Sequence, residues 1–322
     1  MPIPHSGSLA RRMLRPLLLL AIILLPLWHV HDIDRDFHLP YTGNDLIGRW
    51  YGTRAALHRQ DPYSPELTRQ IQAIADHDRS TAFDYPATFA VLLAPMAALP
   101  WKAFSLVYLL LIVPSLAVSF WLCVRSLHLP LSRRVTGRIV LAALFSWPAI
   151  WGLRLLQPAL LEAVFLFLGC FFLVRGRGAT AGFLLALATI KPQTVLPLLL
   201  WLLLWTGLRR QWRFLLSFAV TTTALLALAE WLIPGWFTHW LHLLRFYQSV
   251  CPKLPLEPLL GYALSRIVVL ELAVWAGWRL WRLRHCPPSS TDFGYSIALL
   301  LAFTIAANPT QPLMVYNDIF LL

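Results

Sequence analysis

Apolar segments of ten or more residues recur along almost the whole chain, and they limit its possible folds more than any other feature. Hydrophobic residues make up 58% of the 322 residues and charged residues only 13%, which is too apolar for one water-soluble domain of this length. Repeated apolar segments of near-spanning length indicate one helical bundle in a bilayer. We therefore predict an all-α, polytopic transmembrane helical bundle that forms a single domain over residues 1–322.

The hydropathy pattern contains ten candidate spans. They are 16–30, 101–123, 139–153, 159–174, 180–190, 194–205, 214–233, 256–278, 293–307 and a segment that begins near Pro312. Several are shorter than the roughly 20 residues that a full helical crossing needs. Segments 180–190 and 194–205 are therefore ambiguous, because they could also form one long helix kinked at Pro192.

The distribution of arginine favours two separate crossings for these segments. If both cross, fifteen Arg residues fall in loops on the side of the N-terminus, with Asp292 as the one acid among them. They are Arg11, Arg12, Arg15, Arg125, Arg133, Arg134, Arg138, Arg175, Arg177, Arg209, Arg210, Arg213, Arg279, Arg282 and Arg284. The positive-inside rule then places the N-terminus in the cytoplasm of a multi-pass cell-membrane protein. The net charge of +12 reflects this orientation, and no nucleic-acid partner is predicted.

The two ends of the chain carry further expectations. The first apolar run would suit a signal peptide, but His29-Val30-His31-Asp32 follows it in place of a small-x-small cleavage site. We therefore expect an uncleaved signal anchor. The last apolar segment has eleven residues between Pro312 and Leu322, too few to cross, so we expect a C-terminal part to be missing.

Residues 31–100 form a long loop on the outer side, and it holds nine of the chain's fifteen acidic residues. Apolar residues at helical spacing predict a first helix between Pro40 and the break at Asp61-Pro62. A second helix is predicted over 64–77, with Ser64 as its N-cap and Pro65 at its first position. Both helices are expected to lie on the membrane surface.

The segment 86–99 at the end of this loop is apolar but short, and prolines bracket it. As a crossing it would place the four arginines between positions 125 and 138 on the outer side. We therefore predict an interfacial or re-entrant helix, which is tolerated at membrane depth where it packs on protein.

Asp45 stands at the start of the first loop helix, directly after Gly43 and Asn44. The commonest role of an aspartate there is to cap the helix or to complement its dipole. The alternative is a general base that takes the proton from a sugar hydroxyl as its oxygen attacks an activated anomeric carbon. Position alone favours the cap, and Asp32, Asp34 and Asp36 are equally acidic rivals for the base.

Short motifs follow one another through most of the chain in a recognisable order. They are Gly43-Asn44-Asp45-Leu46, Trp50-Tyr51, Ala55-Ala56-Leu57, Asp61-Pro62-Tyr63, Tyr85-Pro86-Ala87-Thr88-Phe89 with Pro95 and Leu99-Pro100, Gln157, Ala181-Gly182, Ile190-Lys191-Pro192-Gln193 and Tyr316-Asn317. In this order and spacing the chain resembles glycosyltransferase family 87. One departure is Gln157-Pro158-Ala159, where the family tends to have Gln-x-Asn.

The resemblance implies a membrane-embedded enzyme of GT-C type in the cell envelope. Such an enzyme transfers a hexose, typically mannose, from a polyprenyl-phosphate sugar to a lipid or glycan acceptor at the outer membrane face, with inversion. The resemblance makes Asp45 the first candidate for the general base and leaves Asp36 in reserve; the other seven acids of the loop are most simply solvated or capping. No metal or other cofactor is predicted, because fixed cations that hold a monophosphate leaving group make a metal dispensable.

Polar residues at membrane depth supply the remaining site candidates, since ionisable groups there usually mark a pathway or a site. Each has an ordinary alternative: snorkelling for a lysine, interface anchoring for an arginine, and pairing with a buried Arg for Glu162. The candidates for binding the donor phosphate are Lys191, Arg154 and Arg245, and those for the substrate cavity are Gln157, Glu162 and Tyr85.

Two other classes of protein compete with the enzyme. A transporter or flippase of lipid-linked sugars would also have intramembrane charges and broken helices, but it should show two corresponding halves. The sequence has no internal repeat, and its acidic loop occurs once. A non-enzymatic envelope assembly factor would need neither the acid beside the loop helix nor the outer lysine.

Overall fold

The computed structural model describes residues 45–74, 82–126, 131–250 and 257–306. Within these ranges it contains thirteen α-helices, one 3-10 turn over Ala188–Ile190, and no β-strand. The helices are α1 (Asp45–Leu57), α2 (Pro65–Ile74), α3 (Ala87–Ala97), α4 (Trp101–Ser126), α5 (Arg133–Leu144), α6 (Trp147–Arg154), α7 (Pro158–Val174), α8 (Gly178–Leu187), α9 (Pro192–Leu208), α10 (Trp212–Leu232), α11 (Trp236–Val250), α12 (Glu257–Leu283) and α13 (Thr291–Ala306). The predicted all-α bundle is confirmed.

Three helices are long and apolar enough to cross a bilayer: α4, α10 and the part of α12 from Leu260 to Leu283. Four shorter apolar helices, α3, α7, α8 and α9, accompany them. Large apolar side chains on α10, such as those of Leu216 and Val220, are exposed, as a lipid-contacting helix requires. The chain is a membrane protein.

The centre of the bundle is built on α7, which packs against both α4 and α8. On its other side α8 packs closely on α10, and Gly182 makes this approach possible. A Cβ atom at position 182 would lie 2.3 Å from the carbonyl oxygen of Phe214. A glycine is therefore required where these two helices touch.

The helices predicted within residues 31–100 are present in the described part of this range. Helix α1 ends before the Asp61-Pro62 break, and Ser64 caps α2 by accepting a hydrogen bond from the Leu67 N–H at 3.2 Å. The predicted end of α2 at His77 lies outside the described residues. The segment 86–99 contains the eleven-residue helix α3, which packs on α1 and α10.

One prediction about the elements is wrong. The predicted span 139–153 is divided between α5 and α6, because Ser146 stops one helix and starts the next: its hydroxyl donates to the Ala143 carbonyl at 2.7 Å and accepts from the Ala149 N–H at 3.4 Å. The stretch after the predicted span 214–233 contains the fifteen-residue helix α11, whose Trp236 is buried against Ala229 and Leu232 at the end of α10. The segments 16–30 and from Pro312 onward lie outside the described residues.

Candidate active site

Asp45 is the first residue of α1, and hydrogen bonds hold both of its backbone polar groups. Its N–H donates to the carbonyl oxygen of Leu155 at 3.0 Å. Its own carbonyl accepts a hydrogen bond from Nη1 of Arg49, one helical turn later. The backbone of Asp45, which carries a half-buried side chain, is therefore fixed by hydrogen bonds at both its N–H and its carbonyl group.

The partner carbonyl belongs to a strained turn between α6 and α7. Leu156 has a φ of 51°, in the left-handed region that a leucine rarely adopts. The Leu156 N–H donates to Leu153 at 3.1 Å and the Gln157 N–H to Gly152 at 2.8 Å, which is the Schellman pattern of a helix C-terminus. Such strain costs about 1–3 kcal/mol and persists only where surrounding contacts impose it, often at functional sites.

Lys191 lies between the 3-10 turn and α9, and it is buried at 1% exposure. Its backbone is not helical, since Pro192 begins α9 directly after it. The alternative in which Lys191 snorkels to the interface is wrong, because its side chain is enclosed by protein. Helices α8 and α9 are also separate elements, and a membrane crossing by each of them stays a prediction.

Glu162 is fully buried on α7, opposite the start of α9. The hydroxyl of Thr194 lies within hydrogen-bond distance of Glu162 Oε1 and, at 2.6 Å, of the Lys191 carbonyl oxygen. Glu162 is thus bound to Thr194. The predicted alternative, pairing with a buried Arg, is not observed among the described residues. Glu162 and Lys191 are held together by one threonine.

Charges of both signs act on the Lys191 ammonium group. Glu162, Asp84, Asp45 and Arg49 are all close enough to act on it electrostatically. The site thus brings together the predicted base, the predicted phosphate-binding lysine and a buried carboxylate from the predicted cavity. These residues come from α1, from the segment before α3, from α7 and from the start of α9.

Asp84 and Arg49 are the two members of this cluster that sequence reasoning missed. An oxygen of Asp84 lies 2.6 Å from Nη2 of Arg49, and the guanidinium lies 5.0 Å from the ring centroid of Tyr85. The interpretation of Asp84 as a solvated or capping acid is wrong. A signal was available, because Arg49 follows Asp45 by one helical turn and Asp84 directly precedes the Tyr85-Pro86 motif.

The predicted cavity residues are all buried. Tyr85 packs against Phe89 with ring centroids 5.0 Å apart, and the Gln157 carbonyl accepts a hydrogen bond from the Tyr108 hydroxyl at 3.1 Å. Within the described part of the chain, Nε2 of Gln157 and Oε2 of Glu162 are buried and make no hydrogen bond. Buried polar atoms of this kind need a partner, such as a bound hydroxyl or water.

The segment before α3 is held by aromatic residues from elsewhere in the chain. The Tyr63 hydroxyl donates to the Tyr85 carbonyl at 2.8 Å, and Nε1 of Trp240 on α11 donates to the Asp84 carbonyl at 3.3 Å. Burial, followed by the charges of Asp61 and Asp84, raises the pKa of Tyr63 well above its usual range. The hydroxyl therefore stays protonated and available as a donor.

The other predicted site residues lie in less enclosed positions. Arg154 is exposed at the end of α6, next to Leu155, and Arg245 is exposed on α11. On the same helix Nδ1 of His239 lies 3.0 Å from Oδ2 of Asp61. Asp36 lies outside the described residues. No three His, Cys, Asp or Glu side chains come together as possible metal ligands in the part of the chain that the structure describes.

Comparison with known proteins identifies one family. A family model described as glycosyltransferase family 87 matches residues 83–307, which is more than half of the chain. Comparisons with curated proteins and with solved structures find no match. The matched range includes Asp84, Gln157, Glu162 and Lys191, and it begins after Asp45.

Proposed function

We propose a function from the premise that the chain belongs to glycosyltransferase family 87 and is therefore a membrane glycosyltransferase. The proposed donor is a polyprenyl-phosphate hexose, with mannose as the first sugar to test. The proposed acceptor is a hydroxyl of a lipid or glycan at the outer membrane face. The observation that carries the proposal is the burial of Lys191 within electrostatic range of Asp45.

Asp45 acts as the general base in this reaction. Its carboxylate takes the proton of the acceptor hydroxyl while the oxygen forms a bond to the anomeric carbon. The bond between that carbon and the phosphate oxygen breaks on the opposite face, so the configuration inverts. The electron pair of the broken bond remains on the departing polyprenyl phosphate, which gains a negative charge.

Lys191 stabilises the charge that develops on this phosphate. A fixed cation in a site shielded from water stabilises such charge more strongly than it would in bulk water. Arg154 and Arg245 are the candidates for a second phosphate contact. Arg154 is favoured, because its neighbour Leu155 binds the Asp45 amide directly. Gln157, Glu162 and Tyr85 then line the binding site of the sugar or acceptor. The buried Nε2 of Gln157 and Oε2 of Glu162 can form hydrogen bonds there with sugar hydroxyl groups.

The orientation proposed for the enzyme follows from charge. The arginines at the end of α4 and in α5, those between α7 and α8, and those between α9 and α10 and at the start of α10 lie on the cytoplasmic side, together with the N-terminus. The loop that carries α1 to α3 lies on the outer side. In this arrangement the acceptor approaches Asp45 from outside the cell, while the donor tail lies in the membrane.

The test uses the full-length protein in liposomes that contain polyprenyl-phosphate mannose, glucose or galactose and an extract of envelope lipids and glycans. Mass spectrometry identifies the product, and a labelled donor reports its movement across the bilayer. A glycosidic product that requires Asp45 supports the proposal. Movement of the lipid without any glycoside would instead identify a transporter or flippase.

A further inference from the structure

Arg49 and Asp84 form an ion pair that joins two separate segments of the outer loop. The contact is 2.6 Å long, and the two side chains are only 7% and 20% exposed. The pair Glu66–Arg69 on α2 is different, because its side chains are 64% and 73% exposed. Exposed pairs contribute little to stability, whereas loss of one partner from a buried pair leaves an uncompensated charge.

Arg49 connects this ion pair to the backbone of Asp45. One guanidinium nitrogen, Nη2, contacts Asp84, and the other, Nη1, donates to the Asp45 carbonyl. On the other side of the same residue, the Asp45 N–H is held by Leu155. The position of the Asp45 backbone is thus set jointly by the bundle and by Arg49.

Asp84 is itself fixed by a third part of the chain. Trp240 on α11 donates to its carbonyl, and Tyr63 donates to the carbonyl of the next residue, Tyr85. The Tyr85 ring also supports the Arg49 guanidinium. A continuous series of contacts therefore runs from α11 through Asp84 and Arg49 to Asp45.

We propose that Arg49 and Asp84 act together as positioning residues that fix the orientation of Asp45 toward the acceptor hydroxyl. This proposal rests on the proposed function, in which Asp45 is the general base. A base must be held within a fraction of an ångström of its productive place, and a displacement of about 1 Å can lower the rate roughly 10²-fold.

The kinetic test compares Arg49→Gln, Asp84→Asn and the double variant in liposomes with polyprenyl-phosphate mannose. We expect each single variant to lower kcat by about 10- to 10²-fold and to change KM for the donor much less, because neither residue is assigned a contact with the donor. The double variant should lose no more than the worse single variant, since both act as one unit. Asp84→Glu should recover part of the loss, and Glu66→Gln should behave as wild type.

A second measurement reports the positioning without any substrate. We expect hydrogen exchange of the Asp45 amide and the first turn of α1 to become faster in Arg49→Gln and in Asp84→Asn, and to remain unchanged in Glu66→Gln. Unchanged exchange in both single variants would overturn the proposal. Losses of kcat that multiply in the double variant would also overturn it. A third contrary outcome is a loss in Asp84→Asn as large as in Asp45→Asn while Arg49→Gln stays near wild type, because Asp84 would then be the base.

Failure of the proposed function gives a different result. In that case the wild-type protein forms no glycoside from any polyprenyl-phosphate sugar, whatever the exchange of the Asp45 amide shows.

Discussion

The Asp45 N–H donates to the carbonyl oxygen of Leu155 at 3.0 Å, and this bond ties the first helix of the outer loop to the turn between α6 and α7. It involves only the backbone of Asp45, so it does not depend on the carboxylate. A substitution can therefore remove the carboxylate of Asp45 while the backbone hydrogen bond to Leu155 is kept.

Asp45→Asn should abolish most of the transfer without unfolding the protein. An asparagine keeps the backbone bond and is as good as aspartate at a helix start, but it cannot accept the acceptor's proton. We expect transfer to fall by about 10²- to 10⁴-fold, the usual contribution of a general base. Product formation in liposomes measures the loss, and an unchanged thermal transition in detergent shows that the fold is intact. Normal transfer in this variant would exclude Asp45 as the base.

Lys191→Met should lower both transfer and stability, since it leaves the buried Glu162 without its nearby cation. Removing a cation that acts on a buried carboxyl group costs at most about 3–5 kcal/mol, the loss seen when a buried ion pair is broken. Adding Glu162→Gln removes the acid on which Lys191 acts, so the double variant should regain most of the stability but not the transfer. Recovery of transfer together with stability would show that Lys191 has only a structural role. Denaturation in detergent and product formation separate the two effects.

Gly182→Ala should destabilise the bundle, because its methyl group would meet the Phe214 carbonyl oxygen at 2.3 Å. Overpacking of this kind typically costs about 1–3 kcal/mol. Gly207→Ala is the matched control, since a Cβ atom at that helical position meets nothing within 4 Å. Chemical denaturation in detergent should show a lower midpoint for the first variant alone. Equal midpoints would contradict the close approach of α8 to α10.

Arg210→Gly should stabilise the protein. Arg210 has a φ of 53° at the end of α9, a left-handed position that glycine adopts without strain. We expect the free energy of unfolding of Arg210→Gly to exceed that of Arg210→Ala by about 1 kcal/mol. The alanine variant removes the same side chain but keeps the backbone strain. The comparison of these two variants by denaturation is the measurement. A glycine variant no more stable than the alanine variant would argue against a left-handed residue there.

Thiol labelling tests the proposed orientation in intact cells that express a cysteine-free variant. A cysteine in place of the exposed Arg69 on α2 should react with a membrane-impermeant reagent, because the loop that carries α2 is assigned to the outside. A cysteine in place of Arg213 should react only after the membrane is opened, because that arginine is assigned to the cytoplasm. The reverse pattern would invert the topology.

The sequence by itself determined the class of fold and much of the outer loop. Apolar segments require helices in a bilayer, and local signals such as the Ser64 cap and Pro65 place helix starts, because they depend only on neighbouring residues. Local signals were weaker at Ser146, where the apolar pattern continues through a break, and in α11, where polar, aromatic and aliphatic residues are mixed. Packing and capping decided both places.

Only the tertiary structure decided which charges meet. Composition and spacing do not decide whether the long side chain of Lys191 reaches the interface or is buried. They also do not decide whether Asp84 is solvated or paired. The packing of α7 against the 3-10 turn before α9 encloses Lys191 beside Glu162, and the packing of α1 against α3 pairs Arg49 with Asp84. These contacts join residues far apart in the chain, so they arise only when the helices assemble.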